Sequence, residues 1–381
     1  MQSPIPIYKP DLEKYSLSAI KAIKSGWISN LGENVKSATN LLQEITGAKH
    51  AILMANGTCA THCLFLSLRH KYPNIRKIYV PNNVYVAAWN CALMEYDLDQ
   101  LEVMKMDLET WNVDTSEEYL KTLEVTEIGT VAMLVVHNLG QIVDVDKIKS
   151  VLPNVIIVED NCEGVFGRYH NRMTGTSPST LCSSISFYGN KTVTTGEGGA
   201  FLTNDAEVYQ YVSMVYTQGM SQKRYIHSML AYNYRMTNVQ AGFLLDQLKD
   251  LDAILHSKKV VFERYKKLFE PLIRGNSVIL PKEAPDTEPG LWMFAIRMPG
   301  MTRTFDELSR YFNERNIDIR PFFYPINYHE HFKKVTFDDD NSHRLSREVI
   351  MLPSFPQLTE EQQIYIVKQV EGLIKNDPSV I

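Results

Sequence analysis

Cysteine is scarce and unpatterned in this chain: Cys59, Cys63, Cys91, Cys162 and Cys182 are an odd number, and no two form a C-x-x-C pair. That argues against a disulfide framework or a zinc ribbon and predicts reduced, buried thiols in a cytoplasmic protein. Long apolar runs are missing too. The strongest, such as 131–136, are far too short to cross a bilayer, and Met1-Gln2-Ser3-Pro4-Ile5-Pro6 has no basic segment leading into an apolar one, so no membrane partner and no secretion are expected. Nor does one sign of charge dominate. A formal net charge of -5 gives no global attraction to nucleic acid, so any phosphate must be held by local groups. Internal repeats and low-complexity tracts are absent.

What is present is ordinary globular composition, 44% hydrophobic and 22% charged, in 381 residues, more than one hydrophobic core usually serves. We expect a large domain over 1–250 and a smaller one over 251–381, joined by a long helix over 237–269, with the N-terminal segment free to pack on the smaller unit. Residues 17–70 suggest two helices around a short strand, with Ala51-Ile52-Leu53-Met54 running through Asn56-Gly57-Thr58 into a helix. Strands predicted at 77–80, 100–104, 131–137 and 155–159 alternate with helix-length segments, which implies a mostly parallel sheet covered on both faces. A further pair, 184–187 and 199–202, brackets the loop 188–198. Thr237 and Gln240 form a capping-box pattern. Residues 274–289 read as loop and edge structure before a second α/β unit that ends in a helix over 360–374.

The run Ser186-Phe187-Tyr188-Gly189-Asn190-Lys191, followed by Gly196-Glu197-Gly198-Gly199, places a lysine between a strand and a glycine-rich loop. A lone loop lysine is ordinarily solvated, but one held in a pocket becomes an imine-forming amine. Upstream, Val155-Ile156-Ile157-Val158-Glu159-Asp160 is a buried-strand pattern that ends on two carboxylates. By itself Asp160 could cap the next turn; beside Lys191 it could hold a pyridinium nitrogen protonated, the state in which pyridoxal phosphate works as an electron sink. Gly57, Thr58 and Cys59 open a helix and could give N–H groups to a phosphate, with a hydroxyl from Ser186. Tyr85 could lie on a heteroaromatic ring.

This constellation resembles the DegT/DnrJ-type nucleotide-sugar aminotransferases, and the resemblance runs along nearly the whole chain. It is carried by Ile5-Pro6, Ser25-Gly26-Trp27-Ile28-Ser29, Asn56-Gly57-Thr58, Glu159-Asp160-x-x-Glu163, the Lys191 and Gly196–Gly199 segments, Tyr232-Asn233-Tyr234-Arg235, Arg320-Pro321-Phe322-Phe323-Tyr324-Pro325 and Leu352-Pro353-Ser354-Phe355-Pro356. The resemblance implies the aspartate aminotransferase-like fold, type I of the pyridoxal-phosphate enzymes. It assigns Lys191 to an imine with the cofactor, Asp160 to the pyridine nitrogen, Glu163 to the ring's 3-oxygen side or the sugar, Tyr85 to the ring face, and Gly57, Thr58 and Ser186 to the phosphate. Asn233 would reach the phosphate in a neighbouring subunit, making a homodimer with shared sites. Trp27, Ile28, Arg320 and Tyr324 are candidate substrate residues.

The implied reaction takes an amino group from L-glutamate through pyridoxamine phosphate to C4 of a nucleotide-linked 4-keto-6-deoxyhexose, as in perosamine and viosamine synthases, for polysaccharide biosynthesis. Amination at C3 is the alternative within the family. Relatives that dehydrate sugars carry histidine in place of the lysine, so Lys191 favours transamination. One departure is Ser177-Pro178-Ser179-Thr180 after Gly175-Thr176, where relatives have Phe-Gly-Asp; another is Ala231, where a glycine is common. Among rivals, a desulfurase needs an exposed nucleophilic cysteine in a recognisable mobile loop, and none of the five sits in one. A regulator that binds the cofactor without turnover would not need Lys191, Asp160 and Glu163 together. His329-Glu330-His331 has no regular strand to bring its i and i+2 side chains to one face, so no metal is expected.

Overall fold

The structure, a computed structural model, describes residues 4–223 and 225–376. Seven strands form the main sheet in the order His50–Met54, Gly199–Thr203, Thr180–Ser186, Ile156–Asp160, Val131–Val136, Lys77–Pro81, Leu101–Met104. The last five run parallel; Gly199–Thr203 is antiparallel to both of its neighbours. All six residues of Val131–Val136 are buried, and the strand alternates between two cores: Leu134 and Val136 pack with Val80, Val158 and Phe201, whereas Met133 and Val135 pack with Tyr79 and Ile157 on the other face. A strand covered on both sides reads as a continuous apolar run, which is why it stands out in the sequence.

A second, antiparallel sheet of Phe294–Arg297, Val349–Leu352 and Arg320–Pro321 packs with helices Leu251–Arg274, Phe305–Asn313 and Glu360–Lys375 around Tyr265, Phe269, Phe312 and Val370. Ile5 belongs to this cluster, and its backbone pairs with the chain at Asn316 and Asp318.

Two expectations are corrected. The helix over 237–269 is two helices, Asn238–Lys249 and Leu251–Arg274, that meet at Asp250 (φ -115°, ψ 23°). The Asp250 carboxylate takes hydrogen bonds from Lys14 Nζ (2.6 Å) and Tyr15 Oη (2.9 Å), a tie from far along the chain that helical periodicity does not register. Between 17 and 70 there are three helices, not two, because Leu17–Ser25 is a helix ended by Gly26 at φ 77°. It crosses Asn238–Lys249 closely: a Cβ on Gly242 would lie 2.5 Å from the Ala19 nitrogen, so only glycine permits the approach.

Candidate active site

The carboxyl ends of the parallel strands and the start of helix Gly57–Lys71 enclose a cavity of about 440 Å³, in the position where α/β sheets bind ligands. Gly57, Thr58, Tyr85, Asp160, Glu163, Ser186 and Lys191 all line it.

Helix Gly57–Lys71 points its N-terminus into the cavity. Asn56 caps it by accepting the Cys59 N–H (2.9 Å), which leaves the Gly57 and Thr58 N–H groups without a partner inside the helix. Cys59 is outside the cavity wall and its N–H is already taken. Ser186 presses against the helix start: a Cβ on Gly57 would lie 2.7 Å from Ser186 Cβ. Gly57→Ala must push these apart, and we expect it to weaken pyridoxal-phosphate affinity about tenfold or more and to lower stability by roughly 1–3 kcal/mol. Cofactor titration and urea unfolding measure both, and wild-type values would show that the contact is slack.

Asp160 ends its strand facing the cavity. Its Oδ1 accepts the Cys162 N–H at 3.1 Å and lies 3.4 Å from Ser184 Oγ; Oδ2 lies 3.5 Å from Thr61 Oγ1. Glu159, one residue earlier, points the other way, as strand alternation requires. There it accepts from His137 Nε2 (2.8 Å), the Gly175 N–H (3.1 Å) and the Thr180 hydroxyl. The Val143 N–H donates to His137 Nδ1 (3.1 Å), so the ring's proton sits on Nε2. The departing segment 175–180 is therefore tied to the sheet through Glu159 and does not enter the site.

Lys191 is buried, with Nζ 3.9 Å from Glu163 Oε1 and 3.7 Å from the centre of the Trp292 ring. Glu163 Oε2 accepts the Leu139 N–H at 2.8 Å. Burial pushes the Glu163 carboxyl up to about 7, against the opposing pull of Lys191 and the Leu139 N–H. A carboxyl that holds its proton more tightly when folded adds stability that is complete below pH 4.5 and lost as pH rises through about 7. We expect the unfolding free energy of the cofactor-free protein to fall across that window by on the order of 3 kcal/mol from this group. Glu163→Gln should flatten the fall; an unchanged pH profile would refute the assignment.

The other sequence-derived candidates lie elsewhere. Asn233 is exposed and outside the cavity, its Oδ1 accepting from Arg235 Nε at 2.8 Å. Trp27 and Ile28 are exposed, their carbonyl oxygens held by Asn238. Arg320 pairs with Asp318, and Tyr324 stacks on Tyr328 with centroids 5.7 Å apart. Conversely, Thr61 and Trp292 line the cavity although no motif contains them, and Asn56, Asn190 and Glu197 line it from motifs that gave them no role. Asn56 had a local sign, an N-cap residue before Gly57-Thr58; Trp292 had none.

These residues fit pyridoxal phosphate. A helix start stripped of bulk suits the phosphate, and one buried carboxylate suits a ring nitrogen. One enclosed amine suits the aldehyde, and Asn190 Oδ1 is a buried acceptor without a partner on the cavity wall.

Comparison with known proteins gives the family and the fold. The chain is 31% identical over 377 residues to a GDP-perosamine synthase from Escherichia coli O157:H7, covering 96% of this chain and 97% of that one. Its fold matches the putative sugar aminotransferase Spr1654 from Streptococcus pneumoniae in its PMP form (TM-score 0.85, 20% identity, 97% of both chains). It also matches the E. coli GDP-4-keto-6-deoxy-D-mannose-3-dehydratase with bound hydrated PLP (TM-score 0.84, 19% identity, 97% of this chain and 100% of that one). With the family match running over residues 11–371, the chain belongs to the DegT/DnrJ/EryC1/StrS aminotransferase family, whose members use pyridoxal phosphate.

Proposed function

We propose that this aminotransferase moves the amino group of L-glutamate to C4 of a nucleotide-linked 4-keto-6-deoxyhexose, yielding a 4-amino-4,6-dideoxy sugar of the perosamine or viosamine type. The observation that carries the reading is the buried Lys191 amine, set 3.9 Å from Glu163 in the cavity that Asp160 also lines. A dehydratase would keep the phosphate cradle and Asp160 but not need this amine. The E. coli relative named for perosamine synthesis supports amination over elimination.

Bound pyridoxal phosphate supplies an electron sink that makes a proton on the amino-bearing carbon labile. The chain's residues do the rest. Asp160 would hold a proton on the ring nitrogen, the Gly57 and Thr58 N–H groups with Ser186 would anchor the phosphate, and Tyr85 would lie on the ring. Lys191 would take the proton from the substrate carbon as general base and give it back as acid. Glu163 would orient Lys191 and contact the ring's 3-oxygen side or the sugar.

The working unit we infer is a homodimer. Asn233 lies exposed outside its own cavity, as a residue serving a neighbour's phosphate would, and Leu17, Ile20, Ile23, Trp27, Ile28 and Leu31 are exposed apolar side chains on helix Leu17–Ser25, whose Ser18, Ala19 and Ala22 are buried, and on the segment after it. Burying such side chains between copies removes apolar surface from water. Trp27, Ile28, Arg320 and Tyr324 would then meet the sugar nucleotide at the cavity's rim. The proposed divide into units of 1–250 and 251–381 is supported by the second sheet and its own core around Tyr265, Phe269 and Phe312, although Trp292, Phe322 and Met351 pack with the first unit, and five free cysteines suit the cytoplasm.

The test is incubation with pyridoxal phosphate, L-glutamate and the GDP-, UDP- and dTDP-linked 4-keto-6-deoxyhexoses. An amino sugar bearing nitrogen at C4 by NMR is expected from one of them. Nitrogen at C3, or no amino sugar from cofactor-loaded protein, would overturn the reading.

A further inference from the structure

We propose that Trp292 is a positioning residue for the Lys191 amine, and that Lys258, outside the cavity, holds Trp292 in place. The inference rests on the reading that Lys191 carries the cofactor and adds to it a support from the second antiparallel unit.

Trp292 is joined to the lysine loop twice. Its ring face sits 3.7 Å from Lys191 Nζ, and its Nε1–H donates to the Asn190 carbonyl at 3.0 Å, one residue from the lysine. A ring fixed at its edge by the same loop whose amine it faces sets where that amine rests, because an aromatic face attracts an ammonium group along a defined direction. This face would hold the free amine of Lys191.

The backbone that presents Trp292 is unusually constrained. Leu291 adopts φ 51°, a left-handed conformation that side-chain-bearing residues rarely take, so its surroundings must impose it. Gly290 donates to the Gly140 carbonyl at 2.8 Å, and a Cβ on Gly290 would lie 2.9 Å from the Gly164 backbone. On the far side, Lys258 Nζ donates to the Trp292 carbonyl at 2.7 Å and to the Ser354 carbonyl at 2.6 Å. Ser354 closes the circuit by accepting the Phe294 N–H on its hydroxyl at 3.0 Å.

Lys258 is fully buried, and its hydrogen bonds to Trp292 and Ser354 go to neutral carbonyls. Burial lowers its amine to about 7, which makes this a costly residue to keep inside a core. An aliphatic residue of the same length would fill the space. What only an amine can do there is tie Trp292 and Ser354 to helix Leu251–Arg274.

The test uses the cofactor-loaded enzyme and Trp292→Phe, Trp292→Leu and Lys258→Met. Trp292→Leu should lower kcat about tenfold or more while KM for glutamate moves little, since a misplaced reacting group costs rate rather than binding. Trp292→Phe, which keeps a ring face, should recover most of that loss. Lys258→Met should reproduce the Trp292→Leu kinetics, and quenching of tryptophan emission by bound cofactor should fall toward that of Trp292→Phe. Wild-type kcat and quenching in folded Lys258→Met would overturn the role of Lys258. Equal rates for Trp292→Leu and wild type would overturn the whole proposal, and that pair decides it if Lys258→Met does not fold. Borohydride fixation of the cofactor on Lys191 in the wild type checks the underlying reading separately.

Discussion

Lys191→Ala is expected to lower kcat by at least ~10⁴-fold while leaving pyridoxal phosphate bound. The cradle explains the retained binding: Gly57, Thr58, Ser186 and Asp160 are untouched by the change. The loss follows because no other residue described along the cavity wall carries an amine. Glu163 is a carboxyl 3.9 Å from the lysine amine, but its Oε2 is engaged by the Leu139 N–H, so we expect it not to take over at the substrate carbon. A small primary amine added to the variant should restore part of the rate by filling the space the side chain leaves. Turnover within tenfold of wild type, or cofactor fixed by borohydride at another lysine in the active wild-type enzyme, would remove Lys191 from the mechanism.

The same contrast between local and distant causes separates what could be read from the sequence from what could not. Val131–Val136 and Ile156–Asp160 were legible because strands buried on both faces are continuously apolar, and the polar residues that end such a run fall at the ligand-binding edge. Asp160 declared itself in that way, and Lys191 by its place between a strand and a glycine-rich loop. Glu159 and Asp160 looked equivalent in sequence; alternation along the strand sends one to the cavity and the other to His137. The break at Asp250 depends on Lys14, and the placement of Trp292 depends on Gly140, Gly164 and Lys258. None of these partners is near in the chain, so no local pattern could announce them. At Cys59 the relevant partner is a very local one: its N–H goes to Asn56.

Asp160→Asn is the second large effect, and it should lower kcat by about 10²–10³-fold with a much smaller change in cofactor affinity. Thr61 and Ser184 explain why the wild-type carboxylate is suited to its task. Their hydroxyl oxygens are 2.9 Å apart, so one hydrogen lies between them and the other is left to donate to Asp160, on Oδ1 from Ser184 or on Oδ2 from Thr61. With the Cys162 N–H on Oδ1, the carboxylate is oriented but not saturated, and an oxygen remains for the ring nitrogen. An amide has the same outline and can keep these neighbours, yet it carries no charge and cannot hold the ring nitrogen's proton. Binding, which depends mainly on the phosphate cradle, should therefore survive while proton removal at the substrate carbon slows. A visible cofactor spectrum that titrates as in wild type, together with a loss of less than tenfold in kcat, would mean that the ring nitrogen is protonated by some other group and that Asp160 serves only to shape the cavity.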